Sequence, residues 1–274
     1  MLSNLTKRVI TALIIFPLVI STILYQNDLF VRLLLNIVIF LAAFELSKMC
    51  LFSESGRKSF IFITFVFISI FLSNILIKNN LWNLQIIFST LIWMYIIFNI
   101  IKLDEIHPKK IFNNYYMFLF VILLSSLYCS LYTLYKINYE LLIYLICLIS
   151  ICDIAAYFSG KTFGKNPFFS IISPKKTKEG FYGSLIICGL FSILFCAYQN
   201  YDFIFSIKLL SLSLFISIIA TFGDLSVSLL KRMTDKKDSG KILPGHGGIL
   251  DRIDSLLPSA PIFLIFSHSL SVII

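Results

Sequence analysis

Long apolar runs alternate with short polar links along almost the whole chain. About 20 apolar residues cross a bilayer core. On that ruler the pattern predicts nine membrane-spanning helices, near 8–25, 29–51, 59–77, 81–101, 115–135, 139–160, 181–199, 204–230 and 255–274. Periodicity does not separate such runs from buried core helices, but their number and length do. The links alternate in character. Those near 26–28, 78–80, 136–138 and 200–203 are short and nearly free of cations, whereas those near 52–58, 102–114, 161–180 and 231–254 are longer and basic. The expected fold is an all-α polytopic membrane protein.

Composition agrees. A chain of 274 residues that is 58% hydrophobic and 14% charged, with a mean hydropathy of +0.92, is not an ordinary soluble globule. A net charge of +9 would suit nucleic acid, so the placement of the charge decides. With the N-terminus inside, 19 of the 23 Lys and Arg residues fall on one side of the membrane. Arg32, Lys78, Lys136 and Lys208 fall on the other. The positive-inside rule then puts the N-terminus in the cytoplasm and the C-terminus on the opposite side. No aromatic residues interleave with the basic loops and no recognition fold is left over, so nucleic acid is dropped as a partner. Lys7 and Arg8 precede an apolar run as in a signal peptide, yet no small-residue cleavage site follows and eight more spans do, so this run is read as the first anchor. The six cysteines form no Cys-x-x-Cys pair and are read as packing residues.

Acids inside the apolar runs are more informative, because a charge at mid-bilayer costs about 2.5–3.5 kcal/mol on insertion scales. Asp224 lies seven residues before the inner end of span eight, about 10 Å deep. Asp153 lies at a comparable depth in span six, and Glu45 sits near the inner end of span two. Asp153 and Asp224 predict a polar cavity open to the cytoplasm. For Glu45 a packed or snorkelling acid is the preferred reading.

The stretch 231–254 carries the densest chemistry. Pro244-Gly245-His246-Gly247-Gly248 is a sharp turn that lets backbone approach a ligand. Asp251 and Asp254, three apart, share a face if a helix begins there. With Asp224, and Asp153 completing or shaping the site, they form a candidate set for Mg²⁺, which takes oxygen ligands and keeps several waters. The alternative is an i, i+3 pair that caps a helix and bonds Arg252. Ser173-Pro174-Lys175-Lys176-Thr177-Lys178 is a second basic cluster suited to phosphate, and Ser173 and Glu179 are candidates to start the following helix. Read as a bland loop, the same cluster would face lipid headgroups. Gly160-Lys161-Thr162 ends like a Walker A loop, but Ala155 stands where the first glycine is needed and no strand precedes it. His246 is read either as an acid or as a structural donor; His107 and His268 have no acidic or cysteine company. No nucleophile–base triad is present, so the nucleophile is expected to be a substrate atom.

These residues fall into two blocks. One reads Ser228-x-x-Lys231-Arg232, then Lys237-Asp238-Ser239-Gly240, then Leu243-Pro-Gly-His-Gly-Gly-Ile-Leu-Asp251-Arg252-Ile-Asp254-Ser255. The other reads Asp153-x-x-Ala-Tyr-x-x-Gly-x-x-x-Gly-Lys165, then Ser173-Pro-Lys-Lys-Thr-x-Glu-Gly180. Together they resemble the phosphatidate cytidylyltransferase (CDP-diacylglycerol synthase) family over residues 153–258. The first 150 residues match only in having several spans. The resemblance implies CTP and phosphatidate as substrates, CDP-diacylglycerol and pyrophosphate as products, and a requirement for Mg²⁺, with room for a second, monovalent cation. It implies metal ligation by Asp224, Asp251, Asp254 and Asp153. Catalytic charge would come from Lys231, Arg232, Asp238, His246 and Arg252, and phosphate contacts from Ser173, Lys175, Lys176, Thr177, Gly245, Gly247 and Gly248. It further implies a catalytic region at 139–274, with cytoplasmic loops 161–180 and 231–254, following N-terminal spans in 1–138. The expected place is a bacterial inner membrane with the site facing the cytoplasm; a homodimer stays open. The competing readings are an enzyme acting on an isoprenoid lipid and a transporter of an anionic solute. The transporter would predict internal repeats, and no clear repeat is seen.

Overall fold

The computed structural model describes residues 4–49, 56–102, 115–234, 236, 238–240, 242 and 247–269. Among these, ten helices form and no strand does. They are α1 (Asn4–Leu24), α2 (Asp28–Met49), α3 (Gly56–Lys78), α4 (Trp82–Ile101), α5 (Tyr115–Ile137), α6 (Tyr139–Phe163), α7 (Lys178–Gln199), α8 (Phe203–Met233), the short α9 (Leu250–Ile253) and α10 (Leu256–Ser269). Polar residues mark several starts. Asn138 accepts from the Glu140 and Leu141 amides, Thr177 from Gly180 and Asp202 from Phe205, each satisfying an otherwise unpaired helix N–H.

Seven helices, α2 to α8, are long and apolar enough to cross a membrane. The expected first and ninth spans are described only in part, as the apolar stretch Leu13–Leu24 of α1 and the residues Leu256–Ser269 of α10, and neither is counted among the seven. By contrast α8 has 31 residues, about 46 Å, so it overruns a hydrocarbon core of about 30 Å.

The core is built on α5. Its apolar window is 83% buried, against 22–44% for the other six spans, because α2, α3, α4, α6 and α10 all pack on it. Its hydroxyls therefore meet protein rather than lipid. Ser126 bonds Ser89 at 2.6 Å, Gln85 donates to Ser73 and Ser125, and the Tyr128 hydroxyl donates to Asn74 at 3.0 Å. Without a hydrophobic drive between helices in lipid, such small and polar contacts supply the packing. A second group, α6, α7, α8 and α10, packs beside it, and α9 rests against α2 and α8. The ends of α2, α6 and α8 thereby meet the links at 164–177 and 234–249.

Candidate active site

Four functional side chains lie along one stripe of α8: Asp224, Ser228, Lys231 and Arg232, at i, i+4, i+7 and i+8. Opposite the stripe stands the link 164–177, which folds back on itself. The Phe168 amide donates to the Lys176 carbonyl at 2.8 Å and the Lys178 amide to that of Asn166 at 2.9 Å. Glu179 accepts from the Lys165 amide and from Asn166 Nδ2, at 3.1 and 2.7 Å. Glu179 thus ties the link down, and Thr177, not Ser173, caps α7. The result is a fixed position for Lys176, whose Nζ lies 2.6 Å from Asp224 Oδ2. Ser228 donates to the other Asp224 oxygen at 3.1 Å. Arg232 Nε reaches the Ile172 carbonyl at 3.4 Å, holding the link to α8. Lys175 is exposed beside it.

Asp254 approaches the same place from the start of α10. Gly223 makes room: a Cβ there would lie 2.5 Å from the Asp254 carbonyl oxygen and 2.7 Å from Pro258. The Asp254 carboxylate is buried and accepts from the Ser255 amide at 2.8 Å, while Ser255 Oγ donates to Asp153 at 3.3 Å. Burial, then the charges of Asp224 and Asp153, push the Asp254 carboxyl well above its ordinary range. Asp153 itself has an exposed side chain. An exposed acid at that depth is tolerable only toward a polar cleft, given the cost of carboxylate against hydrocarbon.

Asp251 belongs to an adjoining cluster. Its Oδ1 lies 2.7 Å from Lys231 Nζ, and its Oδ2 accepts from the Ser239 amide and hydroxyl, both at 2.9 Å. Burial opposes its charge, but Lys231 and the Ser239 donors outweigh that and hold the carboxyl below its ordinary range. Lys231 also lies within Coulombic reach of Asp224, so it stands between the two clusters. Asp251 lies within α9 and Asp254 directly follows it, and each carboxylate is held by its own partners.

Glu45, read from sequence as a packed acid, is the residue sequence reasoning undervalued. It is buried, and Oε2 accepts from the Leu250 amide at 2.9 Å and Ser239 Oγ at 3.0 Å. Its Oε1 has no hydrogen-bond partner among the described residues. Gly240 and Gly248 enclose the carboxylate so closely that a Cβ on either would collide with it. Those two glycines were the available signal: an acid at the inner end of one span and small residues in the loop it meets. Gly247 adopts a positive φ of 83°, which favours glycine, and brings the turn against Asp251. Asp238 and Arg252 are exposed at the edge of this cluster. Gly245 and His246, with Lys237, Lys241 and Pro244, lie outside the described residues.

The donors suit a hard divalent cation: all are oxygens, and Asp254 sits beside two further carboxylates. Among the described residues no three acidic, histidine or cysteine side chains converge at ligand distance. Mg²⁺ does not require three, since it is usually held by one or two carboxylates plus substrate phosphates.

Comparison with known proteins shows what the chain is similar to. The model of the cytidylyltransferase family matches residues 6–270. A phosphatidate cytidylyltransferase from Thermotoga maritima is 29% identical over 97% of both chains. Two others match more closely over less: one from Bacillus subtilis is 48% identical over 42% of each chain. The other, from Haemophilus influenzae, is 39% identical over 46% of this chain and 45% of its own. This chain therefore spans less than half the length of those two relatives in the matched stretch. From residue 6 to residue 270, the chain belongs to the cytidylyltransferase family.

Proposed function

We propose that this chain transfers the cytidylyl group of CTP to phosphatidate, giving CDP-diacylglycerol and pyrophosphate, with Mg²⁺ as cofactor. The observation that carries this reading is the meeting of Lys176 with Asp224, beside Asp153 and Asp254, next to the Lys231–Asp251 pair. Acids for a cation and lysines for phosphates are the two needs of a reaction between two anions. The printed names of the relatives supply the substrates.

In the reaction a phosphatidate phosphate oxygen attacks the α-phosphorus of CTP, and the bond from that phosphorus to the bridging oxygen of the leaving pyrophosphate breaks. Asp224 and Asp254, with Asp153 at the edge, would hold Mg²⁺. When bound, the ion neutralises phosphate charge and aligns the reacting oxygens. Lys176 and Lys231 exchange their carboxylate partners for phosphate oxygens as substrate enters. No side chain forms a covalent bond; positioning and charge neutralisation lower the barrier. The Gly247–Gly248 backbone lies close enough to Asp251 for its amides to share in phosphate binding. The diacyl chains stay between helices in the inner membrane of a bacterial cell, with the N-terminus and the site on the cytoplasmic side.

The test incubates purified protein with CTP labelled at the α-phosphate, with and without chelator. Lipid-linked label formed with phosphatidate and lost with chelator is expected. Label transferred only to isoprenoid phosphates, or unaffected by chelator, contradicts the substrate or the cofactor respectively.

A further inference from the structure

At the end of the bundle away from the carboxylates, α2, α3, α4 and α5 enclose a cavity of about 570 Å³. It is remote from the site above: Arg32, on its wall, is 13 residues before Glu45 on α2, about 20 Å along the helix. Topology assigns four cations to this end, and three of them, Arg32, Lys78 and Lys136, line the cavity. Asp28 commits its two oxygens to Arg32 Nε at 2.9 Å and Lys136 Nζ at 2.7 Å, which holds both cations in place. The Tyr132 ring lies beneath the Arg32 guanidinium at 4.8 Å, and its hydroxyl donates to Asp28 at 2.7 Å. Lys78 has no ion-pair or hydrogen-bond partner among the described residues. One acid against three cations leaves the cavity with two positive charges.

Interfacial anchoring explains cations and aromatics at a helix end. It does not explain their convergence on one concavity. On the lipid-facing side, Phe71 and Ile75 line the cavity and remain exposed. A ligand with a phosphate at one end and an apolar tail at the other satisfies every wall.

We propose that this cavity binds the phosphate headgroup of an anionic phospholipid in the leaflet opposite the active site. Arg32, Lys78 and Lys136 meet the phosphate, and an acyl chain runs along Phe71 and Ile75. This lipid is a bound companion and not a substrate, because nothing connects it to the carboxylates.

Tryptophan fluorescence tests it directly, since the chain has two tryptophans and Trp82 lines the cavity. Trp93 is buried with an indole N–H that has no partner, so Trp93→Phe removes no hydrogen bond and leaves Trp82 as the reporter. The full chain is placed in phosphatidylcholine nanodiscs containing a minority of lipid brominated near the headgroup. Brominated phosphatidylglycerol should quench Trp82 more than brominated phosphatidylcholine at equal mole fraction. Lys78→Ala should weaken that preference about fivefold, from the attraction of one cation to an anionic lipid. Lys78→Arg should retain it, and turnover should be unchanged in both. Equal quenching by the two lipids, or an excess that survives Lys78→Ala, overturns the proposal.

Discussion

Asp251 is fixed by opposing forces whose balance can be read from pH. Lys231 and Ser239 hold its carboxyl below the ordinary range, so the folded state favours the charged form more than the unfolded chain does. The stabilisation is present above the unfolded value of about 3.9 and is lost as pH falls through the lower folded value. The melting temperature of the wild-type protein in detergent should therefore carry an acid-side decline that Asp251→Asn lacks. That substitution also leaves the Lys231 ammonium buried without its partner, a loss on the order of 3–5 kcal/mol. Glu45 offers a second residue-scale test. Glu45→Ala strands the Leu250 amide, while the Ser239 hydroxyl keeps Asp251, and costs about 1–3 kcal/mol. Gly240→Ala drives a methyl into the same carboxylate, since the nearest atoms to a Cβ there all belong to Glu45, and costs about as much by overpacking. In the Glu45→Ala background that methyl gains space, so the two losses should be clearly less than additive by chemical denaturation. Additive losses would mean the glycine and the acid are unrelated. Asp224 was legible in sequence because a carboxylate in an apolar run demands a partner; that partner, Lys176, was not, because it lies 48 positions away across a folded-back link.

The helices were legible where lipid solvation imposes length, and their ends were not. Residues 231–233 continue α8 because no glycine or proline stops it, although the expected span ends at 230. The expected link 161–180 shrinks to 164–177 for the same reason, with Gly164 ending α6 and Thr177 starting α7. Thr177 therefore acts on the site through the backbone. Thr177→Ala should cost about 1 kcal/mol of stability from the lost cap. Because the cap adjoins Lys176, the apparent KM for an anionic substrate should rise while the melting temperature falls only slightly. An unchanged KM would show that Lys176 is held by Asp224 alone. The burial of α5 was invisible in hydropathy, since lipid-facing and core-facing positions are equally apolar. Its Ser125, Ser126, Ser130 and Thr133 were the available sign of a helix surrounded by protein.

At the scale of the whole molecule, the two ends of the bundle carry different chemistry. Lys176, Lys231 and four acids (Glu45, Asp224, Asp251, Asp254) gather at one end, and the Asp28–Arg32–Lys136 cluster lies at the other. The charge count predicts that the first end is cytoplasmic. A cysteine introduced at Asn166 should then react with a membrane-impermeant thiol reagent only in inverted vesicles, and one at Asn79 only in intact cells. The reverse pattern would turn the molecule over and move the proposed site away from cytoplasmic CTP. The central claim, that Asp224 and its neighbours support cytidylyl transfer, meets its most direct test in Asp224→Asn. The measurement is the rate at which α-phosphate label passes from CTP to phosphatidate in purified, folded protein at saturating Mg²⁺. The account predicts a fall on the order of 10²–10³, the scale of losing one charge-stabilising group. Turnover close to wild type would contradict it.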